Sequence, residues 1–151
     1  MMRLWHYKLI PVLPKDMLIS QWRECIAIKR QWEKGILKHR LVSYVKNYDK
    51  EVFSNYVRKV VRELENRNIR FQQKYLDEII KFCNGDLYIC ENYPEHNNRY
   101  LKQCYYNLQE KYDRKIITKE EWEKIEDLFK EEIWKKYVKN NMKKILKKCL
   151  N

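Results

Sequence analysis

The adjacent residues Arg23 and Glu24, in the stretch QWREC, carry side chains suited to chemistry on a phosphate-bearing substrate. A guanidinium binds phosphate through parallel hydrogen bonds, and a carboxylate can transfer a proton or stabilise a developing positive charge. Neighbouring residues of an α-helix point about 100° apart, so the two groups would face different parts of one ligand. The same pair is also typical of the surface of an ordinary amphipathic helix.

Cysteine and histidine are the other residue types able to do chemistry, and their spacing argues against a metal site. The five cysteines are odd in number and form no CxxC pair. The cysteines are Cys25, Cys83, Cys90, Cys104 and Cys149, and the histidines are His6, His39 and His96. Zinc ligands usually come in closely spaced pairs. We therefore expect unpaired thiols in a reducing, intracellular compartment, and neither a metal nor an organic cofactor.

The net charge of +12, from 33 basic and 21 acidic residues, favours a polyanionic partner. A surplus of this size attracts polyanions before contact, so nucleic acid is the leading class of partner. A basic surface that only maintains solubility is the alternative. No apolar run is long enough to cross a membrane, and the N-terminus has no secretory signal pattern.

The scarcity of glycine and proline predicts an all-α protein. Two glycines and three prolines in 151 residues leave few positions for tight hairpins, glycine-rich phosphate loops or flexible linkers. The length fits one domain with its own core. We expect a compact single domain over residues 1–151, with an extended N-terminal segment and a long basic C-terminal helix.

Apolar residues recur at helical spacing in five segments. They predict helices over about residues 15–32, 49–67, 73–82, 98–112 and 119–149. Thr118 and Glu121 form a capping-box pattern at the start of the last helix. Residues 84–97, NGDLYICENYPEHN, predict a long irregular connection of the kind that often carries function.

The last twenty residues are both amphipathic and strongly basic. We expect their apolar stripe to pack on the body of the protein, with the lysines either solvated or placed along a phosphate backbone. Attachment to a membrane surface or to the groove of a partner protein is a third interpretation.

Three stretches together resemble the pyrimidine-dimer DNA glycosylases related to the phage endonuclease V, and especially a cellular branch whose members begin with Arg-Leu-Trp-His-Tyr. The stretches are MRLWHYKLIPVLP, QWREC and EHNNRYLKQCYYNLQEK, and the resemblance spans about residues 2–111. It implies a compact helical DNA-repair glycosylase with abasic-site lyase activity on ultraviolet-damaged duplex DNA, working as a monomer and not on a membrane. A basic nucleic-acid-binding protein without this chemistry, or with another specificity, is the alternative.

The resemblance implies that the N-terminal α-amine attacks C1′ of the damaged nucleotide and forms an imine, which then eliminates to cut the strand. With a pKa of roughly 7.7 to 8.0, about a tenth of an α-amine is free base near neutral pH, against a few parts in ten thousand for an ordinary lysine. Glu24 matches the family's catalytic carboxylate, and Arg23 matches the arginine before it. We expect the amine of Met2 to be the nucleophile, with that of Met1 as the rival.

The same resemblance implies a set of DNA-contacting residues. They are Arg3, His6, Arg23, Arg30, Arg99 and Lys111, with His96 as a further candidate. Trp5, Tyr7, Trp134 and Tyr137 are candidates for a wedge that enters the duplex, and each is equally suited to a core. Met17, Ala27 and Asn107 stand where the phage member has a histidine and two arginines, which leaves another damaged base or an abasic site open as the substrate.

Overall fold

The computed structural model describes residues 2–151, and Met1 lies outside the described residues. These residues form α-helices and short 3-10 helices and contain no β-strand, which confirms the all-α class. The helices are α1 (Lys15–Glu33), α2 (Lys50–Asn66), α3 (Gln73–Phe82), α4 (Asn98–Asp113) and α5 (Lys119–Cys149). The 3-10 helices are Tyr7–Val12 and Ser43–Asn47. Each predicted α-helix lies within about a residue of its observed bounds.

The extended N-terminal segment is shorter than expected, because a 3-10 helix begins at Tyr7. His6 caps this helix, and its Nδ1 accepts a hydrogen bond from the backbone N–H of Lys8 at 3.1 Å. Pro11 fits inside the helix since its fixed φ is close to the helical value. The non-helical N-terminal segment is therefore residues 2–6.

The chain forms two compact units, with the boundary between Cys104 and Tyr105, within α4. In the first unit α1 packs on α2 and α3, and α2 also contacts both 3-10 helices. The buried apolar residues that α1 and α2 contribute are Leu18, Trp22, Cys25, Ile28, Val52, Phe53, Tyr56, Val57, Val60, Val61 and Leu64. Trp22 faces this core as predicted, with its ring edge-on to Phe71.

The second unit pairs the end of α4 with the first half of α5. The ring of Tyr105 stacks on Phe129 with centroids 3.9 Å apart, and that of Tyr112 stacks on Trp122 at 5.3 Å. Thr118 and Glu121 form the predicted capping box, in which each side chain bonds the other residue's backbone N–H. This start fixes the face that α5 turns to α4.

The large apolar residues in the second half of α5 are exposed, so the prediction that packing covers them is wrong. The large ones are 47–63% exposed: Ile133, Trp134, Tyr137, Met142, Ile145 and Leu146. Val138 follows buried Phe129 by nine residues, which at about 100° per residue places it on the opposite side of the helix. The apolar stripe therefore changes sides near Ile133. None of the helices within residues 2–151 is long and apolar enough to cross a bilayer.

Candidate active site

The N-terminal segment lies along α1, where its backbone contacts Glu24 directly. The N–H of Arg3 donates a hydrogen bond to Oε2 of Glu24 at 2.8 Å. Glu24 lies in the middle of the 19-residue helix α1, so the carboxylate stands on rigid backbone. The contact joins two groups that are 21 residues apart in sequence.

This hydrogen bond limits how far the Met2 nitrogen can lie from Glu24. Successive backbone nitrogens are at most about 3.7 Å apart, so the nitrogen of Met2 lies within about 6.5 Å of Oε2. An amine at Met2 is therefore close enough to exchange a proton with Glu24 through one intervening group. The predicted rival, Met1, lies outside the described residues.

Gln21, one turn before Glu24 on α1, holds the same segment. Its Oε1 accepts the N–H of Trp5 at 2.9 Å, and its Nε2 donates to the carbonyl of Arg3 at 2.9 Å. The residue is only 1% exposed. The sequence-based prediction did not include Gln21, although its spacing of three residues from Glu24 places both side chains on one helix face.

Two tyrosines hold the segment from other helices of the first unit. The hydroxyl of Tyr56, on α2, donates to the carbonyl of Trp5 at 2.6 Å. The hydroxyl of Tyr100, in the first turns of α4, donates to the carbonyl of Leu4. Three helices thus fix the backbone that leads to the N-terminus, and neither tyrosine was predicted to take part.

Burial raises the pKa of Glu24 above its ordinary value of 4.5, although the N–H and guanidinium of Arg3 and the amide of Gln21 act in the opposite direction. The carboxyl therefore holds a proton at a higher pH than an exposed glutamate does. A pKa nearer neutrality suits a group that must both accept and return a proton.

Arg3 and Arg23 are two predicted cationic residues that lie next to Glu24, the first through its backbone contact and the second as its neighbour on α1. The Arg3 guanidinium lies over the indole of Trp5, 5.0 Å from the ring centroid. Arg23 is exposed on α1 beside Glu24. Trp5 itself is 8% exposed and belongs to the core, which excludes it as a wedge in this conformation.

The two histidines expected at the DNA interface are buried, and this position is at odds with a DNA contact. His6 is 1% exposed and His96 is 6% exposed. Nδ1 of His96 accepts the N–H of Tyr7 at 3.3 Å, so its Nε2–H is left to donate to the hydroxyl of Tyr44 at 2.7 Å. Burial, with a smaller effect of His6, lowers the pKa of His96 to about 3. Both rings act in packing.

The remaining predicted contacts are exposed or partly exposed. Nη2 of Arg30 lies 3.9 Å from a carboxylate oxygen of Glu78 on α3. Arg99 is exposed at the start of α4, next to Tyr100. Lys111 lies in the second unit, which also carries the exposed and mutually stacked rings of Trp134 and Tyr137.

The cysteines and histidines do not form a metal centre within the part of the chain that the structure describes. Across residues 2–151, no three His, Cys, Asp or Glu side chains are placed to hold one ion. The five thiols are free, and burial raises the pKa of Cys25 and, to about 12, that of Cys83. The thiols of Cys25 and Cys83 therefore stay protonated at neutral pH.

Comparison with known proteins identifies the family. Residues 2–77 match the family model described as pyrimidine dimer DNA glycosylase, which covers half of the chain and includes the N-terminal segment, Arg23 and Glu24. No curated protein and no solved structure matches the chain. The chain belongs to the pyrimidine dimer DNA glycosylase family and is a DNA-repair glycosylase whose substrate is DNA.

Proposed function

We propose that this protein is a glycosylase with an associated abasic-site lyase activity on ultraviolet-damaged duplex DNA. The N-terminal α-amine is the nucleophile, and Glu24 is the catalytic carboxylate. The observation that carries the proposal is the hydrogen bond between the Arg3 N–H and Glu24, which brings a half-buried carboxylate to the start of the chain. A carboxylate on a DNA-binding surface repels phosphate and so weakens binding. A role in catalysis explains why Glu24 is nevertheless present there.

The reaction proceeds in two stages. The amine's electron pair forms a bond to C1′, the bond from C1′ to the damaged base breaks, and the base leaves with those electrons and takes up a proton. Opening of the sugar ring converts the adduct to an imine. Loss of a proton from C2′ then expels the 3′ phosphate, and water releases the amine from the cleaved product.

Glu24 serves both stages as a carboxylate and as an acid. Its negative charge stabilises the cationic sugar as the base departs. It then carries protons between the amine, the ring oxygen and C2′. The raised pKa of Glu24 suits this exchange, because the proton taken in one step must be returned in another.

Arg3 and Arg23 are proposed to bind the phosphates on either side of the lesion. Both are basic residues at the N-terminal segment and α1, and Arg23 points away from Glu24 around the helix. Extruding a nucleotide from the duplex costs a few kcal/mol, which such contacts must offset. His6 is left out of this set because it is buried.

The test is reduction with borohydride during incubation with duplex DNA that carries one pyrimidine dimer or one abasic site. A covalent adduct whose DNA is attached to the N-terminal peptide is expected. An adduct on an internal lysine, or no adduct on either duplex, would reject the N-terminal imine.

Lys59 is the lysine to exclude first. Burial and the nearby Arg58 and Arg62 lower its pKa, which enlarges its free-base fraction. Its ammonium also lies 5.5 Å from the ring centroid of Tyr7, close to the N-terminal segment. The variant Lys59→Met should therefore form the adduct as the parent protein does, whereas acetylation of the N-terminal amine should prevent it.

A non-catalytic DNA-binding protein is the alternative outcome of the same experiment. It would bind damaged duplex with a strong dependence on salt and give neither adduct nor strand scission. Glu24→Gln separates the two, because only the enzyme loses an activity on this change.

A further inference from the structure

Residues 3–5 present their backbone groups to α1 as an extended strand presents them to a neighbouring strand. In extended backbone the N–H and C=O of one residue point to the same edge, and those of the next residue point to the other. Arg3 N–H, Arg3 C=O and Trp5 N–H all bond side chains of α1. The C=O of Leu4 bonds Tyr100 on the opposite edge.

The amide of Gln21 takes the place of the missing neighbouring strand. It accepts from the N–H of Trp5 and donates to the C=O of Arg3, which is the pairing that a backbone amide would make. Its Oε1 also lies 3.3 Å from the hydroxyl oxygen of Tyr56, and its Nε2 lies 3.4 Å from Oε2 of Glu24. The N-terminal segment therefore satisfies both the carbonyl and the amino group of the Gln21 amide.

We propose that Gln21 is a positioning residue, whose amide sets the register of the N-terminal segment on α1 and so the distance between the terminal amine and Glu24. The inference rests on the proposed function, since it takes the N-terminal amine as the nucleophile. It assigns to Gln21 no contact with DNA. Its effect passes through the backbone of Arg3.

The register matters because nucleophilic attack tolerates little displacement. A shift of about 1 Å in a reacting group lowers the rate about 100-fold. Without the Gln21 amide, the Arg3 carbonyl and Trp5 N–H lose their partners on α1. The bonds to Glu24 and the two tyrosines and the buried side chains of Leu4 and Trp5 remain, but they do not replace this pairing with α1. Glu24 would then remain in place while the amine moves.

The test compares Gln21→Met and Gln21→Glu with a matched control, Ser20→Ala, at an exposed neighbouring position. Methionine keeps the volume and removes both hydrogen-bonding functions. Glutamate keeps the acceptor for Trp5 but cannot donate to Arg3, and it brings a second carboxylate to Glu24. Two quantities are measured: the single-turnover rate of borohydride trapping on an abasic duplex, and the Kd for a duplex with a tetrahydrofuran site, which cannot form an imine.

We expect both Gln21 variants to trap about 100-fold more slowly than the parent, with Kd within about twofold, because the amine is displaced while the DNA-binding surface is kept. Ser20→Ala should match the parent in both. Binding to the tetrahydrofuran duplex also gives the fraction of each variant that is folded. If this folded fraction traps at the parent's rate, Gln21 has a structural role only and the proposal is overturned. If the parent protein itself gives no adduct, the proposed function fails instead.

Hydrogen exchange on the parent protein tests the same contact without a variant, which covers the case in which neither variant folds. Gln21 is the acceptor of the Trp5 N–H. Slow exchange of this amide in the folded protein is expected. Exchange at the rate of an unprotected amide would overturn the proposal.

Discussion

The backbone N–H of Arg3 donates to Oε2 of Glu24 at 2.8 Å, so the second described residue of the chain is bonded to the middle of its first α-helix. The bond uses a backbone group and not the arginine side chain. It therefore fixes the backbone at position 3 relative to the carboxylate, whatever side chain stands there.

The first prediction concerns the residue that carries the amine. A protein that begins at Met2 should be trapped by borohydride at least about 10-fold faster than one that begins at Met1, because an extra residue displaces the amine by up to about 3.5 Å. The two forms are made separately, and the mass of each N-terminal peptide is confirmed. A further form extended by Gly-Ser should be slower still. Equal rates for all three would show that another group attacks.

The second prediction concerns catalysis by Glu24. Glu24→Gln keeps an acceptor for the Arg3 N–H but cannot carry the proton, so turnover should fall by about 1,000-fold or more with little change in Kd. Cleavage of a dimer-containing duplex and binding to a tetrahydrofuran duplex measure the two effects. A variant that cleaves at the parent's rate would remove Glu24 from the mechanism.

The third prediction is that Glu24 makes the fold less stable as the pH rises. Its pKa is raised in the folded protein, so the folded state binds this proton more tightly than the unfolded chain does. The favourable contribution is present below 4.5 and declines as the pH rises through the raised pKa. As the pH rises from 4 to 7, the parent protein should therefore lose stability relative to Glu24→Gln, measured as the free energy of urea unfolding. A difference in unfolding free energy that stays constant between pH 4 and pH 7 would show that the pKa of Glu24 is not raised in the folded protein.

Hydrogen bonds to the backbone explain why the site was only partly predictable. The helices followed from apolar spacing, and Glu24 followed from its motif. The role of Gln21 depends on contacts with Arg3 and Trp5, which no local pattern encodes. His6 and His96 are polar residues that usually lie at the surface, and only the packed structure places them beside the rings of Tyr7 and Tyr100. The exposed apolar stripe on α5 could have been predicted, because the spacing of nine residues between Phe129 and Val138 is visible in the sequence.

The fourth prediction concerns acid stability and His96. Its pKa falls from 6.5 in the unfolded chain to about 3 in the folded protein. The neutral His96 ring therefore contributes its full stabilisation of the fold above pH 6.5, and this contribution is lost as the pH falls towards 3. His96→Asn keeps an acceptor near the position of Nδ1 and should cost about 2 kcal/mol at pH 7 through lost packing. The variant should lose less stability than the parent between pH 7 and pH 4.5, as measured by urea unfolding.

The fifth prediction concerns phosphate binding by Arg23. Arg23→Ala should lower the slope of log Kd against log salt by about 0.9, the value for one phosphate contact on duplex DNA. Arg114→Ala is the matched control, since that guanidinium pairs with Glu110 at 2.8 Å. Fluorescence anisotropy over a range of salt concentrations measures both slopes. An unchanged slope for Arg23→Ala would place this side chain off the DNA.

The apolar stripe of α5 changes sides near Ile133. One continuous helix is therefore divided into two halves that unfold separately. Up to Phe129, side chains buried against α4 hold the helix. Beyond Ile133, the hydrogen bonds of the helix depend on backbone propensity and on pairs such as Lys135 with Glu131. Amide exchange should therefore be slow before this point and fast after it, because the last four turns can unwind while the first half of the helix stays folded.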